Sequence, residues 1–309
     1  MIIRNALYGD IEYSILDPTG NITALAETQV EPKDQPAVAA EIMGLNPDVE
    51  QVGFVTFADA DGFAENGGAA GGQAPAPDGA AVRLRMAGGE FCGNAAMSAA
   101  ALYMFRAGLS GELTVNTEVS GAKEPLEVRL DRTGAVSFDA AVNMPPATGI
   151  SELRLSDGML QGSEQLTLPV VRLEGISHVI VEPDSGFFGL KDDKALAETL
   201  LRGWCGAIGA ECLGMMFLDE ARRTGTEDSP EGACSIRNMT PLVYVPGADT
   251  MFWENSCASG TAAAGVYLAA KAGMPADVIL QEPAGRLRVK SDPSSGKTVL
   301  YGTVKIEDR

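Results

Sequence analysis

The chain has 309 residues, with 23 Lys or Arg against 42 Asp or Glu, giving a formal net charge of −19. A polyanion of this balance repels nucleic acid and anionic membrane, which are both bound through clustered basic residues, so a small molecule is the expected partner. The length favours two domains, each able to bury its own core.

From the amino end, MIIRNALYGDIEYSILD places charges where a signal peptide needs an apolar stretch, and no run of 18 apolar residues follows; a cytoplasmic protein without membrane spans is expected. The runs IEYSIL, ITALAE and VGFVTF, punctuated by Asp17, Pro18, Gly20, Asn46 and Pro47, predict strands, with a short helix over 35–44. The stretch 62–81 is too rich in Gly, Ala and Pro to pack a core, and predicts a flexible, solvated excursion joining strands at 52–58 and 82–86. After Cys92 an alanine-rich helix runs to Gly108, a residue type at which helices commonly stop. LTVNTE, LEVRL, AVSFDAAV, PVVRLE and SHVIVEP predict strands; a helix near 193–204 and strands at LGMMFLD and PLVYVP come next. A second alanine-rich helix follows Cys257, and LRVKSDPSSGKTVLYGTVKIE closes the chain as a hairpin.

The five cysteines, at 92, 205, 212, 234 and 257, are odd in number and dispersed, which fits reduced thiols better than a disulfide framework. With a single histidine, His178, and no closely spaced cysteine pair, a structural zinc site is not expected. Neither a phosphate-cradling glycine loop nor a GxGxxG after a strand is present, so neither a cofactor nor a metal is expected.

An internal repeat organises the rest. EFCGNAAMSAAALYMFRAG and NSCASGTAAAGVYLAAKAG each carry a cysteine, small residues, an alanine-rich helix with one Tyr, and a basic residue followed by Ala-Gly; in both the final glycine follows the cysteine by sixteen positions. Both helices lack a polar face for most of their length and belong inside a domain. The expected fold is therefore α+β, with two pseudo-symmetric domains, each a curved β-sheet or barrel wrapped around a central buried helix. The first covers 1–122 plus about 297–309 and carries Cys92; the second covers 123–296 and carries Cys257.

A helix amino terminus exposes unpaired N–H groups and partial positive charge, so two such termini meeting would make a carboxylate site with one thiol from each. Inverting an α-carbon needs a base on one face, an acid on the other, and relief for the developing carbanion. Cys92 and Cys257 supply the first pair; a helix terminus lowers a thiol's pKa, and the working state holds one thiolate and one thiol. The backbone near Gly93, Asn94, Ala258, Ser259, Gly260 and Thr261 is expected to hold the substrate carboxylate. Glu254, three residues before Cys257, is either a solvated strand-end carboxylate or a group that tunes the thiol or holds the substrate ammonium, and Glu90 stands similarly before Cys92. Cys205, Cys212 and Cys234 are read as packing residues, the ordinary role of a free cysteine.

MAGGEFCGNAAM and WENSCASGTAA resemble the two active-site motifs of the diaminopimelate epimerase fold, which proline racemases and other pyridoxal-independent racemases share. The resemblance covers most of the chain, including GNITAL, EQVGF and SHVIVEP. It implies that Cys92 and Cys257 are acid and base, that His178 stands beside the site, and that Asn21 and Gln51 line the substrate pocket. Ile176 and Ser177 replace the Asn-Pro that precedes the histidine in diaminopimelate epimerases, and TMFWENSC lacks their Glu-Arg-Gly segment, so the contacts for a distal amino-carboxylate are missing. The motif forms are closer to the histidine racemases of opine-type metallophore synthesis, and histidine is the expected substrate of a cytoplasmic racemase for which a homodimer is an allowed assembly. The alternatives are diaminopimelate epimerase, another isomerase of this fold acting on proline-type or unsaturated acids, and a non-catalytic amino-acid-binding protein.

Overall fold

Alternating apolar and polar residues, as in GDIEYSILD with Ile11, Tyr13 and Ile15 buried, build most of the molecule from half-buried strands. The structure is a computed structural model that describes residues 1–58, 80–155, 166–220, 222–223 and 235–307. Cys234 and all but the last two residues of the expected excursion over 62–81 lie outside the described residues. The chain divides into two compact units, Met1–Met144 with Leu300–Arg309, and Pro145–Val299.

In the first unit, β1 (Ile2–Asn5) and β2 (Gly9–Asp17) pair antiparallel, and β3 (Thr23–Ala26) follows on β2. Helix α1 (Gln35–Leu45) leads to β4 (Gln51–Phe57), parallel to β3, and β5 (Val82–Met86) turns back along β4. Helix α2 (Gly93–Arg106) precedes β6 (Glu112–Val119), parallel to β5, and β7 (Leu126–Arg132) and β8 (Ser137–Met144) continue as a meander. The last strand of the chain pairs with both β8 and β2, closing an eight-stranded barrel. Helix α2 is buried from Gly93 to Met104 and packs on β3 through β8. Alanine side chains allow strands to approach from several sides.

In the second unit, β9 (Gly149–Leu155) and β10 (Leu166–Arg172) pair antiparallel, followed by β11 (Ser177–Val181) on β10. Helix α3 (Lys194–Ile208), capped by the Asp193 side chain, buries Leu201 and Trp204 in an apolar core with Val179, Phe217 and Leu242. Strand β12 (Leu213–Leu218) runs parallel to β11; β12 and β13 (Arg222–Arg223) both pair antiparallel with β14 (Ser235–Val245), which pairs antiparallel with β15 (Thr250–Trp253). Helix α4 (Ala258–Ala272) then precedes β16 (Ala276–Gln281), β17 (Arg286–Ser291) and β18 (Thr298–Glu307), the strand that closes the first barrel. Glycine in the left-handed region ends the helical run in both alanine-rich segments, Gly108 at φ +65° and Gly273 at φ +67°.

The architecture is a mixed α/β fold. The boundary between units falls after residue 144, and not after residue 122 where the sequence predicts it. β6, β7 and β8 are joined by continuous antiparallel ladders, Leu113 opposite Leu130 and Val128 opposite Val142, so 123–144 belong to the first unit. No element was expected at 149–155, where only Leu153 and Leu155 are fully buried and the apolar alternation is weak.

At the far end of each alanine-rich helix the basic residue of the repeat is anchored to a glutamate. Arg106 bonds Glu27 at 2.7 Å and Ser14 at 3.2 Å. Lys271 meets Glu182, which also accepts from Tyr267 and faces Arg237 at 3.5 Å.

Candidate active site

Cys92 is the N-cap of α2: its backbone is extended (φ −139°, ψ 113°), and its sulfur accepts from the Ala95 amide at 3.4 Å. The thiol donates to Gln51 Oε1 at 3.1 Å. Gln51 Nε2 donates to Asn21 Oδ1 at 2.6 Å and Thr23 Oγ1 at 2.7 Å, which orients the amide so that its carbonyl faces sulfur. Asn94 Nδ2 reaches the same Asn21 oxygen at 3.2 Å, and Asn21 in turn donates to Glu50 at 2.7 Å. The parallel register setting Thr23 beside Gln51 brings residues of β3 and β4 to the start of α2. Thus Cys92, Gln51, Asn21 and Asn94 form one polar chain. Thr23 and Glu50 belong to it too, though nothing in the sequence singled them out.

The approach to Cys92 is held from behind. Ser120 Oγ donates to the Glu90 carbonyl at 2.8 Å, and a Cβ at Gly121 would lie 2.5 Å from the Phe91 amide nitrogen, so only glycine fits there. Burial holds the Glu90 carboxyl above the ordinary carboxylate range.

Cys257 repeats the capping geometry in the second unit. Its backbone is extended (φ −128°, ψ 102°), and its sulfur accepts from the Gly260 amide at 3.3 Å. Ser259 Oγ lies 3.7 Å from that sulfur and 3.0 Å from Nε2 of His178, which extends from β11 and is completely buried. Desolvation lowers the imidazole pKa to about 3, which favours a neutral ring at physiological pH, hydrogen-bonded to Ser259. Gly214, opposite His178 in the register of β11 and β12, supplies the room for the ring.

The helix terminus was expected to lower the Cys257 pKa; the structure reverses that. Burial, then the Glu254 carboxylate that accepts from the thiol, then Glu282, push the thiol well above its usual range and outweigh the Gly260 amide. Glu282 was missed in the sequence. It sits past the end of β16, 2% exposed, accepting from the Cys257 amide at 2.5 Å and the Thr261 hydroxyl at 2.6 Å.

The expected carboxylate cradle narrows. Gly260 N–H is spent on the cysteine sulfur, and Thr261 N–H on the Cys257 carbonyl at 2.9 Å. Helix geometry offers no intrahelical acceptor to the amides of Gly93 in α2 or of Ala258 and Ser259 in α4, and amides at a helix start are suited to an anion. Cys205 and Cys212 are buried, Cys205 donating to the Ala210 carbonyl at 3.3 Å and the Cys212 carbonyl accepting from Ser177 N–H at 3.0 Å. Among the described residues no group of three His, Cys, Asp or Glu is arranged to hold a metal, and no helix is long and apolar enough to cross a membrane.

A family model described as the histidine racemase CntK N-terminal domain matches residues 10–308. A histidine racemase of Fusobacterium nucleatum subsp. nucleatum is 29% identical over 266 residues, covering 84% of this chain and 81% of the relative. One of Staphylococcus aureus is 25% identical over 258 residues, 83% of this chain and 79% of the relative. Among solved structures, a probable proline racemase of Agrobacterium radiobacter with bound carbonate aligns at TM-score 0.57 and 14% identity, covering 96% of this chain and 90% of that one. A PhzF-family phenazine biosynthesis protein of Bacillus anthracis aligns at TM-score 0.55 and 10% identity over 96% of both chains. Likeness at those identities is one of fold.

Proposed function

The chain belongs to the histidine racemase CntK N-terminal domain family, which makes it an amino-acid racemase and so an isomerase, and from that premise we propose that it interconverts L- and D-histidine with Cys92 and Cys257 as its two acid/base groups. One observation carries the mechanism: in each unit a cysteine caps the start of a buried alanine-rich helix, with its sulfur accepting an amide of the first turn. On this reading the two halves are copies of one plan, as the repeated sequence suggests. One sulfur, as thiolate, removes the α-proton while the other, as thiol, delivers a proton to the opposite face. The amides of Gly93, Asn94, Ala258 and Ser259 hold the carboxylate and share its growing charge. His178 orients Ser259 beside Cys257 and Glu254 biases that thiol, while Asn21 and Gln51 fix Cys92. Such a cycle needs neither pyridoxal nor metal.

The test is α-proton exchange in deuterated water from both enantiomers of histidine, against a panel that includes proline and diaminopimelate. Wild type should exchange histidine fastest, and Cys92→Ser and Cys257→Ser should each lose about 100-fold or more in racemisation. Full activity in either variant defeats the two-cysteine assignment; binding of histidine without exchange in wild type returns the protein to the non-catalytic class.

A further inference from the structure

Glu282 has a role that helix capping alone does not explain. Its carboxyl accepts both the Cys257 amide and the Thr261 hydroxyl, and is almost wholly removed from water. Its own turn is closed by Glu282 N–H to the Gly285 carbonyl at 2.9 Å, and tied by Ala284 N–H to the Asn255 carbonyl at 3.1 Å, so it cannot swing away from the residues leading into Cys257. The groups that face this corner are Cys257, which caps α4, Ser259 and Thr261 from its first turn, Glu254 from the segment ahead of it, and neutral His178 from β11, which reaches it through Ser259. Two acidic side chains therefore flank one thiol. The amide chain of Gln51, Asn21 and Asn94 surrounds the other cysteine in a different chemical setting.

We infer that Glu282 is the positioning residue of Cys257: by gripping the start of α4 with a buried carboxyl, it fixes the sulfur in place and keeps it in the S–H form. The inference rests on the two-cysteine reading for its consequence in turnover, since it makes Cys257 the member of the pair that carries the resting proton. Burial raises the Glu282 pKa to about 8, and once ionised its carboxylate opposes loss of the Cys257 proton.

Glu282→Gln separates grip from charge, because the amide can still accept from Cys257 N–H and donate to Thr261 Oγ. The measurement is the pH dependence of iodoacetamide alkylation, followed peptide by peptide so that Cys257 and Cys92 are read apart, alongside α-proton exchange from L- and D-histidine. The Cys257 midpoint should fall by about one pH unit in Glu282→Gln with that of Cys92 unmoved, and the ratio of exchange rates for the two enantiomers should change. A folded Glu282→Gln protein with the wild-type Cys257 profile overturns the inference. If that variant does not fold, Thr261→Val removes one donor from the carboxyl and must shift the Cys257 midpoint; no shift is equally fatal. A shifted profile in a protein that exchanges no amino acid would discard the racemase reading and retain this one, whereas exchange with an unmoved profile would do the reverse.

Discussion

Replacing Gly214 with alanine tests whether the corner around His178 is as tightly built as its geometry implies. The added Cβ would lie 2.2 Å from His178 Nδ1, 2.8 Å from its Cε1 and 2.8 Å from the Met216 methyl. The ring has no exposed surface to retreat into, and its Nε2 is committed to Ser259 at 3.0 Å. Overpacking of this kind costs about 1–3 kcal/mol. If the ring rotates to escape, the lost buried hydrogen bond adds about 1–3 kcal/mol. Urea unfolding should show the loss as a lower midpoint at constant slope. Exchange of the histidine α-proton should also fall in the protein that remains folded, because Ser259 is 3.7 Å from the Cys257 sulfur. Gly214→Ala combined with His178→Ala removes the clash, so the pair should cost less than the sum of its members. A Gly214→Ala protein with wild-type stability and exchange rate would refute the reasoning.

His178 is the one histidine of the chain, so its imidazole resonances need no assignment. With a folded pKa of about 3 against 6.5 for an ordinary histidine, the unfolded chain takes up the proton first. Stability present above pH 6.5 is therefore lost progressively as the pH falls towards about 3, and the folded ring should keep its neutral chemical shift at pH 5; a folded-state midpoint near 6.5 would contradict the burial. Gln51→Glu puts a carboxylate where a carbonyl now meets the Cys92 thiol, and alkylation of Cys92 should then need a pH about one unit higher while Cys257 is unaffected. Equal alkylation profiles for Cys92 in the two proteins would show that the Gln51 contact does not form in solution.

What could be read from the sequence is what is written locally. A cysteine, small residues and a run of alanines ending in glycine is a device contained in one stretch of chain, so both helices, their caps at Cys92 and Cys257 and their stops at Gly108 and Gly273 were visible. Asn21, Gln51 and His178 came from likeness to a family, since their partners lie on other elements. Glu282 was out of reach: it meets Cys257 across 25 residues, through a turn after β16 that carries no motif. The same blindness explains the reversed expectation for the Cys257 thiol. The amide that lowers its pKa is three residues away, but the burial and one of the carboxylates that raise it come from distant chain.

The anchored far ends of the two alanine-rich helices make each one a ruler. Burial along most of each rod fixes its register, and Arg106 on Glu27 and Lys271 on Glu182 mark the far end. Inserting one residue along such a rod would turn its sulfur about 100° relative to that end and shift it about 1.5 Å. Point substitutions on these helices can be absorbed by repacking, but a change in length cannot. In drifting relatives, insertions and deletions should therefore accumulate in the loops while the count from cysteine to basic residue stays constant.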